Sequence, residues 1–277
     1  MRLDRPIGFL LLFYPISFSL VSQSNYDYEL LKYFILFFIG SVVMRSAGCI
    51  INDILDKKID EKVKRTQSRP LASSKISILN ACVTLVILSF IGLLILLNLN
   101  LPSIVLGLII TPLIVLYPLA KRFFALPQLI LAMTYNWGCM IGWVTMSSPY
   151  KFNNICILYL SLIIWTIVYD TIYAVQDEEE DRKINLYSSA IFFGTKKLLI
   201  LNTLIVTQYF LLIVFGYKMD YGIIFYVIVV LISLLNIGDI NFLWKNDARK
   251  SGLYFKRNNY YGFLILLSII IGSQFNV

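Results

Sequence analysis

The sequence predicts an all-α, polytopic membrane protein, and two observations predict that fold class. First, hydrophobic residues make up 58% of the 277 residues, charged residues make up 14%, and the mean hydropathy is +0.77, which is far too apolar for an ordinary soluble domain. Second, apolar runs of about 20 residues recur with short gaps, and only helices or closed barrels can cross a bilayer. Because these runs are continuous and do not alternate with a period of two, helices are favoured.

The apolar runs predict nine transmembrane helices in a single transmembrane domain, residues 1–277. Their predicted positions are about 7–24, 30–51, 77–97, 102–120, 126–146, 153–175, 197–215, 221–243 and 259–275. If the N-terminus and every even-numbered connection lie on one side of the membrane, that side carries most of the Lys and Arg residues. This bias predicts a cytoplasmic N-terminus and a C-terminus outside.

The first apolar run is expected to be retained as span one. No convincing small-residue cleavage site follows it, and no amphipathic, acid-poor transit segment precedes it. We therefore expect the protein to lie in a bacterial-type cytoplasmic (inner) membrane.

The composition excludes several classes of function. Histidine is absent, which excludes imidazole bases and His–metal sites. The four cysteines are isolated within predicted spans, so their spacing predicts neither a metal site nor a disulfide. The net charge of +8 follows from membrane orientation and the lipid bilayer, and no basic tract interleaved with aromatics indicates a nucleic-acid partner. No obligate protein partner is evident.

The stretch Asn52–Leu71 carries the first candidate site. Asn52, Asp56 and Asp60 recur every four residues, with Asp53 one position off, so a helix would project their oxygens from roughly one face. Carboxylates this close repel one another and lose solvation near hydrocarbon, so they require a cation. Mg²⁺ prefers oxygen ligands and is commonly shared between carboxylates and substrate phosphates. Basic residues that would then meet the phosphate oxygens follow directly: Lys64, Arg65 and Arg69.

A second acidic cluster, Asp177–Asp181, lies at the end of the sixth predicted span. Asp170, Tyr173, Asp177 and Asp181 follow one helical stripe at spacings of three and four residues. A purely solvated acidic cap would not extend into the membrane as Asp170 does, and intramembrane ionisable groups are functional by default. We call residues 52–75 the first acidic motif and residues 176–196 the second. Both fall on the predicted cytoplasmic side, which suggests a diphosphate held between metal ions.

Basic residues near the ends of two spans have two interpretations each. Arg45 is costly at membrane depth unless it faces a polar cavity, and the acidic face begins about two turns later. Its alternative is an arginine that snorkels to the interface. Lys121 and Arg122 are either positive-inside anchors or a clamp for an anionic substrate group.

Four blocks of sequence carry a resemblance to a known family. They are RLDRPIG (2–8), MRSAGCIINDILDKKIDEKVKRTQSRPL (44–71), YPLAKRFFALPQ (117–128) and YDTIYAVQDEEED (169–181). In these blocks the chain resembles the UbiA superfamily of intramembrane prenyltransferases, and within it the 4-hydroxybenzoate polyprenyltransferases of ubiquinone biosynthesis. The last three predicted spans match that family only in hydropathy.

The resemblance implies a bundle of nine helices around a central cavity open toward the cytoplasmic face. It implies Mg²⁺-dependent transfer of a polyprenyl group from polyprenyl diphosphate to the ring carbon ortho to the hydroxyl of 4-hydroxybenzoate. The implied metal ligands are Asn52, Asp53, Asp56, Asp60, Asp177 and Asp181, and the implied catalytic carboxylates are Asp56, Asp60, Asp177 and Asp181. Together with the candidates above, the substrate-binding set becomes Arg45, Asn52, Arg65, Arg69, Lys121, Arg122, Asp170 and Tyr173.

One segment departs from the family's pattern. After the second acidic cluster the family usually has Gly-x-Lys-Ser/Thr, whereas this chain has Asn185-Leu186-Tyr187-Ser188. Arg182 and Lys183 are candidates to replace the missing lysine.

An allylic carbocation can be stabilised by the face of an aromatic side chain, and the candidates for this role are chosen by position alone. The alternative role for the same side chains is ordinary packing between helices. The candidates are Tyr14, Tyr135, Trp137, Tyr169 and Tyr173.

Two alternative functions stay open. One is a prenyltransferase of the same superfamily with another aromatic acceptor. The other is a cation-coupled transporter in which Asp170 and Arg45 form a charge relay. A transporter needs polar groups deep in several spans, whereas most acidic residues here lie in the two cytoplasmic-edge clusters.

Overall fold

The computed structural model describes residues 6–23, 27–63, 66–146, 152–243 and 248–274, and these residues form helices joined by short connections, without strands. The α-helices are α1 (Ile7–Ser22), α2 (Tyr28–Leu55), α3 (Lys57–Asp60), α4 (Ile78–Leu97), α5 (Leu101–Leu116), α6 (Pro127–Asn136), α7 (Gly138–Met146), α8 (Phe152–Ala174), α9 (Glu178–Lys183), α10 (Ser189–Phe193), α11 (Lys197–Lys218), α12 (Ile223–Leu243) and α13 (Ala248–Gln274). Short 3₁₀ helices occupy Tyr117–Arg122, Val175–Asp177 and Gly194–Lys196. The predicted all-α fold is confirmed.

Seven helical segments of the described residues are long and apolar enough to cross a membrane. They are Tyr28–Leu55, Ile78–Leu97, Leu101–Arg122, Pro127–Met146, Phe152–Lys183, Ser189–Lys218 and Ile223–Phe242. Helix α1 is apolar but has 16 residues, fewer than the about 20 that a straight crossing needs. The protein is therefore a multi-pass membrane protein, and the count of nine spans stays a prediction.

The predicted fifth span is two helices, α6 and α7, which meet at Trp137. Here Asn136 Nδ2 donates hydrogen bonds to Ala132 O at 2.8 Å and Thr166 Oγ1 at 2.8 Å. Trp137 Nε1 donates to Leu106 O at 3.0 Å. A polar side chain in hydrocarbon needs such partners. These hydrogen bonds connect the junction between α6 and α7 to the neighbouring helices α5 and α8.

The last helix begins earlier than predicted. Helix α13 starts at Ala248, whereas the apolar run predicted a span from about residue 259. Its first turns are amphipathic, because Ser251, Tyr254 and Asn258 are buried at spacings of three and four while Leu253 is exposed. Mean hydropathy overlooks such a segment, although its periodicity is visible in the sequence.

The packed core lies among α1, α8, α11, α12 and α13. Its largest fully buried side chains include Phe18, Trp165, Phe215 and Phe225. Helix α4 packs chiefly on α2, and Ala81 is its one buried residue. The exposed apolar surface of α4 is explained by contact with lipid.

A chain of buried polar contacts joins four helices of this core. Trp165 Nε1 donates to Asn258 Oδ1 at 2.9 Å, and Asn258 Nδ2 donates to Tyr254 O at 2.8 Å. Tyr254 OH donates to Asn236 Oδ1 at 2.6 Å, and Asn236 Nδ2 donates to Tyr209 OH at 3.1 Å. Interhelical hydrogen bonds of this kind hold membrane helices together where no hydrophobic driving force acts between them.

Asn236→Leu is expected to lower the stability of the bundle, because it leaves the buried hydroxyls of Tyr209 and Tyr254 without their partner. The expected loss is about 1–3 kcal/mol in the free energy of unfolding. Thermal unfolding of the purified protein in detergent measures it. Asn241→Leu is the matched control, since Asn241 lies on the exposed side of the same helix. Equal melting temperatures for the two variants would contradict the structural role of the network.

Candidate active site

A cavity of about 290 Å³ lies between the first acidic motif, the Tyr117–Leu131 segment, the end of α8 and the second acidic motif. Both acidic motifs contribute to its wall, although they are more than one hundred residues apart in the chain. Ten of the predicted site residues line it: Arg45, Asn52, Asp56, Asp60, Arg69, Lys121, Asp170, Tyr173, Asp177 and Asp181. Tertiary structure thus brings acidic and basic side chains together in one polar compartment.

Asp56 is the most deeply buried carboxylate of the cavity. It caps the C-terminal end of α2, and its side chain is 1% exposed. Lys121 Nζ lies 2.5 Å from Asp56 Oδ2, and Arg122 Nη2 lies 3.4 Å from Asp56 Oδ1. Arg122 Nη2 also donates to Leu55 O at 2.8 Å, so a cation meets the negative end of the α2 dipole. Two basic residues therefore neutralise one buried carboxylate.

Asp53 and Asp60 of the first motif share Arg69. Its Nη1 lies 2.6 Å from Asp60 Oδ2 and 3.3 Å from Asp53 Oδ1. Burial raises the pKa of Asp60 above the ordinary value, and the positive charge and hydrogen bond of Arg69 oppose that rise. Asp53 does not line the cavity, because it lies one position, about 100° of helical turn, after Asn52. The helix also breaks between α2 and α3. The side chains of Asn52, Asp56 and Asp60 therefore do not share the one continuous helical face that the sequence had predicted.

The second motif is held by an ion pair that sequence reasoning missed. Glu178 accepts hydrogen bonds from Lys197 Nζ and, at 2.9 Å, from Arg182 Nη2. Burial acts to raise the pKa of Glu178, but these two cations outweigh it and hold the pKa below the ordinary value. Arg182 therefore pairs with Glu178. Only the Glu178–Arg182 spacing of four residues was visible in the sequence.

The segment after the second motif is joined to the Tyr117–Leu131 segment by two hydrogen bonds. The backbone N–H of Tyr187 donates to Lys121 O at 2.8 Å, and the backbone N–H of Ser189 donates to Gln128 Oε1 at 2.8 Å. Tyr187, which stands where the family usually has lysine, lines the cavity. Neither bond nor the role of Gln128 was predicted.

Arg45 lines the cavity, as expected if it does not snorkel to the interface. Its guanidinium carbon lies 5.6 Å from the centre of the Tyr135 ring, within the range of a cation–π contact. Tyr135 OH in turn donates to Gly8 O. A Cβ atom on Gly8 would lie 2.7 Å from Arg45 Nε, so a larger residue there would displace the guanidinium of Arg45.

The five aromatic candidates separate into two groups. Tyr173 lines the cavity, and its ring centre lies 4.6 Å from that of Phe255. The other four do not line it and pack between helices, as their alternative interpretation predicted: Tyr14, Tyr135, Trp137 and Tyr169. Two further predicted residues are placed differently again. Arg122 contacts Asp56 from outside the cavity lining, and Arg65 lies outside the described residues.

The donor set suits a hard cation shared with a ligand. Among the described residues, no three acidic or cysteine side chains converge closely enough to hold a metal ion by themselves. Carboxylate oxygens nevertheless face the cavity from both acidic motifs, together with Lys121 and Arg69. Mg²⁺ is usually bound by one or two carboxylates plus substrate phosphates. The residues therefore fit Mg²⁺ that is completed by diphosphate oxygens better than a cage built from protein alone.

Comparison with known proteins identifies the family. The model of the UbiA prenyltransferase family matches residues 11–265. The chain belongs to the UbiA prenyltransferase family. The resemblance carried by the four sequence blocks is thereby confirmed, and the protein is a prenyltransferase.

A curated relative and two solved structures extend this finding. The 4-hydroxybenzoate octaprenyltransferase of Francisella tularensis subsp. tularensis (strain FSC 198) is 40% identical over 278 residues, covering 98% of this chain and 95% of the relative. A UbiA homologue from Aeropyrum pernix K1 is 24% identical with a TM-score of 0.73, covering 99% of this chain and 97% of the other. A UbiA homologue from Archaeoglobus fulgidus bound to GPP and Mg²⁺ is 18% identical with a TM-score of 0.71, covering 96% and 98%. The two structures share the UbiA fold with this chain.

Glu178→Gln is expected to lower the melting temperature in detergent by about 2–4 °C at neutral pH, because it removes one charge of the Glu178–Lys197 pair. The pKa of Glu178 is lower in the folded protein than in the unfolded chain, where it is about 4.3. The ion pair therefore stabilises the folded protein fully above about pH 4.3, and this stabilisation is lost as the pH falls through the folded-state pKa. The difference in melting temperature between the wild type and Glu178→Gln, measured from pH 7 to pH 3.5, should therefore shrink at the acidic end. Glu179→Gln is the matched control, since Glu179 is its exposed neighbour. A Glu179→Gln variant as unstable as Glu178→Gln would contradict the pairing.

Proposed function

We propose that the protein transfers a polyprenyl group from polyprenyl diphosphate to the ring carbon ortho to the hydroxyl of 4-hydroxybenzoate, a step of ubiquinone biosynthesis. The observation that carries this proposal is the cavity in which both acidic motifs meet basic side chains inside a helical membrane protein. The choice of acceptor is supported by the relative from Francisella tularensis, which is 40% identical over nearly the whole length of both chains.

The carboxylates would hold the diphosphate through Mg²⁺. We assign this role to Asn52, Asp53, Asp56, Asp60, Asp177 and Asp181. When bound, Mg²⁺ supplies positive charge that neutralises the departing diphosphate. The protein's own contribution is to present oxygen donors from both sides of one cavity and to keep them apart until a ligand joins them.

Basic residues would stabilise the negative charge that develops on the diphosphate as the allylic bond breaks. Lys121 and Arg122 hold Asp56, and Arg69 holds Asp60, so each cation already lies beside a proposed metal ligand. Binding of the magnesium diphosphate would let these cations exchange a carboxylate for a phosphate oxygen. Arg65 is proposed to act with them.

The acceptor would bind toward the deeper end of the same cavity. Arg45 offers a guanidinium to an anionic group, and Asp170 and Tyr173 line the wall contributed by α8. The face of Tyr173 could stabilise an allylic cation, because the negative face of an aromatic ring attracts positive charge. The electron-rich ring then attacks through the carbon ortho to its hydroxyl, and the proton leaves to a carboxylate or to the departed diphosphate.

The cellular setting is also a proposal. The chain would form one domain, residues 1–277, in a bacterial-type cytoplasmic membrane. The Lys and Arg distribution supports a cytoplasmic N-terminus, so both motif loops, 52–75 and 176–196, would face the cytoplasm.

Asp56→Asn and Asp177→Asn are expected to lower prenyl transfer by about 100-fold or more while leaving the protein in the membrane, because each removes charge that the metal diphosphate requires. The assay incubates membranes with Mg²⁺, a polyprenyl diphosphate and 4-hydroxybenzoate and identifies the product by mass. Asp239→Asn is the control, since Asp239 pairs with Arg257 of α13 outside the cavity lining. Unchanged turnover in both cavity variants would overturn the assignment.

The same assay tests the acceptor. A panel of aromatic acceptors without a carboxylate, or with a fused ring, is added in place of 4-hydroxybenzoate. A clear preference for one of these would retain the prenyltransferase and replace the acceptor. Substrate flux into sealed vesicles without any covalent product would instead favour the transporter.

Mg²⁺ and diphosphate are expected to strengthen each other's binding. A diphosphate that captured Lys121 alone would leave Asp56, 1% exposed, deprived of its closest cation, and an unpaired buried carboxylate is strongly unfavourable. Saturating Mg²⁺ should therefore raise the affinity for inorganic pyrophosphate by about 5- to 150-fold in calorimetric titrations. Mg²⁺ should raise the pyrophosphate affinity of Asp56→Asn by a smaller factor. Because Mg²⁺ binds pyrophosphate in solution equally in both titrations, the difference between the two proteins reports only the effect of Asp56. The same increase in both proteins would contradict the exchange of ion-pair partners.

A further inference from the structure

Gln128 is a cavity residue that none of the candidate motifs singled out. It is the second residue of α6, after Pro127, and lies at the end of the Tyr117–Gln128 block. Its side chain lines the same cavity as the two acidic motifs, and the residue is 8% exposed. An amide on a cavity wall can bond the protein at one end and a ligand or water at the other.

The amide of Gln128 has a fixed orientation. Its Oε1 accepts a hydrogen bond from the backbone N–H of Ser189 at 2.8 Å. A backbone N–H can only donate, so the atom that faces it must be the oxygen, and the amide cannot be flipped. Ser189 is itself held, because its Oγ lies 2.6 Å from Thr171 Oγ1 and both residues are fully buried.

The other end of the amide is the Nε2 group with its two N–H donors. Within the described part of the chain it donates no hydrogen bond. Lys121 lies on the same wall, since its carbonyl and the Gln128 amide are both bonded to the segment Leu186–Ser189. A neutral donor beside a cation, in a cavity that also contains Arg45, suits an anionic oxygen.

We propose that Gln128 is a substrate-contacting residue whose Nε2 donates a hydrogen bond to an anionic oxygen of a bound substrate. This inference rests on the proposed function, in which two molecules carry such oxygens: the prenyl diphosphate and the aromatic acid. The chemistry of the contact is the same for both. The bond to Ser189 holds the donor in place before the ligand arrives, which lowers the entropic cost of binding.

Two substitutions separate this role from a structural one. Gln128→Glu has the same shape and keeps an oxygen for the Ser189 N–H, but it replaces the cavity-facing donor by an acceptor. Gln128→Met removes the donor without adding charge, so it controls for repulsion by the new carboxylate. Melting temperatures in detergent establish that each variant is folded. If Gln128→Met unfolds, Gln128→Leu takes its place as the uncharged variant without the donor, and Gln128→Glu with wild-type binding still overturns the inference.

The measurements are the KM for each substrate in the membrane assay and the titration of purified protein with inorganic pyrophosphate in the presence of Mg²⁺. A hydrogen bond to a charged group corresponds to about a 10- to 100-fold change in binding. We expect a rise of that size in the KM for one substrate with kcat nearly unchanged, as for a contact made equally in the ground and transition states. A purely structural role would lower the melting temperature of Gln128→Met and leave the KM values of the folded variant unchanged.

The two sources of the anionic oxygen give different results. If the contact is to diphosphate, both variants weaken pyrophosphate binding and raise the KM for polyprenyl diphosphate with every acceptor. If it is to the acceptor, pyrophosphate binding is unchanged, and the defect disappears with a phenol that lacks the carboxylate. A folded Gln128→Glu variant with wild-type KM values and wild-type pyrophosphate affinity would overturn the inference. Absence of prenyl transfer by the wild type would instead overturn the proposed function, and the pyrophosphate titration would still test a diphosphate contact at Gln128.

Discussion

The site depends on the neutralisation of one buried carboxylate. Asp56 lies at the end of α2 with 1% of its side chain exposed, and Lys121 and Arg122 reach it from a segment 65 residues later in the chain. A buried charge without a partner is strongly unfavourable, so these contacts oblige the Tyr117–Arg122 turn to pack against the end of α2. The cavity exists because that packing brings the basic turn and the first acidic motif face to face.

The second acidic motif is held in place by bonds from other segments. The Glu178–Lys197 pair joins it to the start of α11, and the bonds from Tyr187 and Ser189 join the following chain to the basic turn and to α6. The helices α8, α11, α12 and α13 beside this site are held by apolar packing and by the buried hydrogen bonds around Asn236. The cavity thus contains ion pairs that a ligand can replace, whereas the hydrogen bonds around Asn236 are buried between helices and out of a ligand's reach.

This division has a chemical consequence. Before any ligand binds, Lys121 and Arg122 pair with Asp56 and Arg69 pairs with Asp60, while the cavity lining as a whole carries, among the described residues, five carboxylates against three cations. A metal diphosphate brings both signs of charge at once, so it can take over both sets of partners. Gln128 takes no part in this exchange, because its amide is oriented by the backbone N–H of Ser189 and not by another charge.

The sequence by itself determined the fold class and the family, and it named most of the charged residues that line the cavity. Long apolar runs must become helices in a bilayer, and the clustering of Asp53, Asp56 and Asp60 next to an apolar run predicted a cation beside them. It did not reveal the break of the helix at Asp56 or the packing of Tyr135 against Arg45, since each depends on neighbours distant in the chain. Only the tertiary structure decided that Lys121 pairs with Asp56, that Glu178 pairs with Lys197, and that Gln128 Oε1 accepts a hydrogen bond from the backbone N–H of Ser189. The physical reason is that hydropathy and periodicity are local properties, whereas an ion pair or an amide orientation is set by whichever group the fold places opposite.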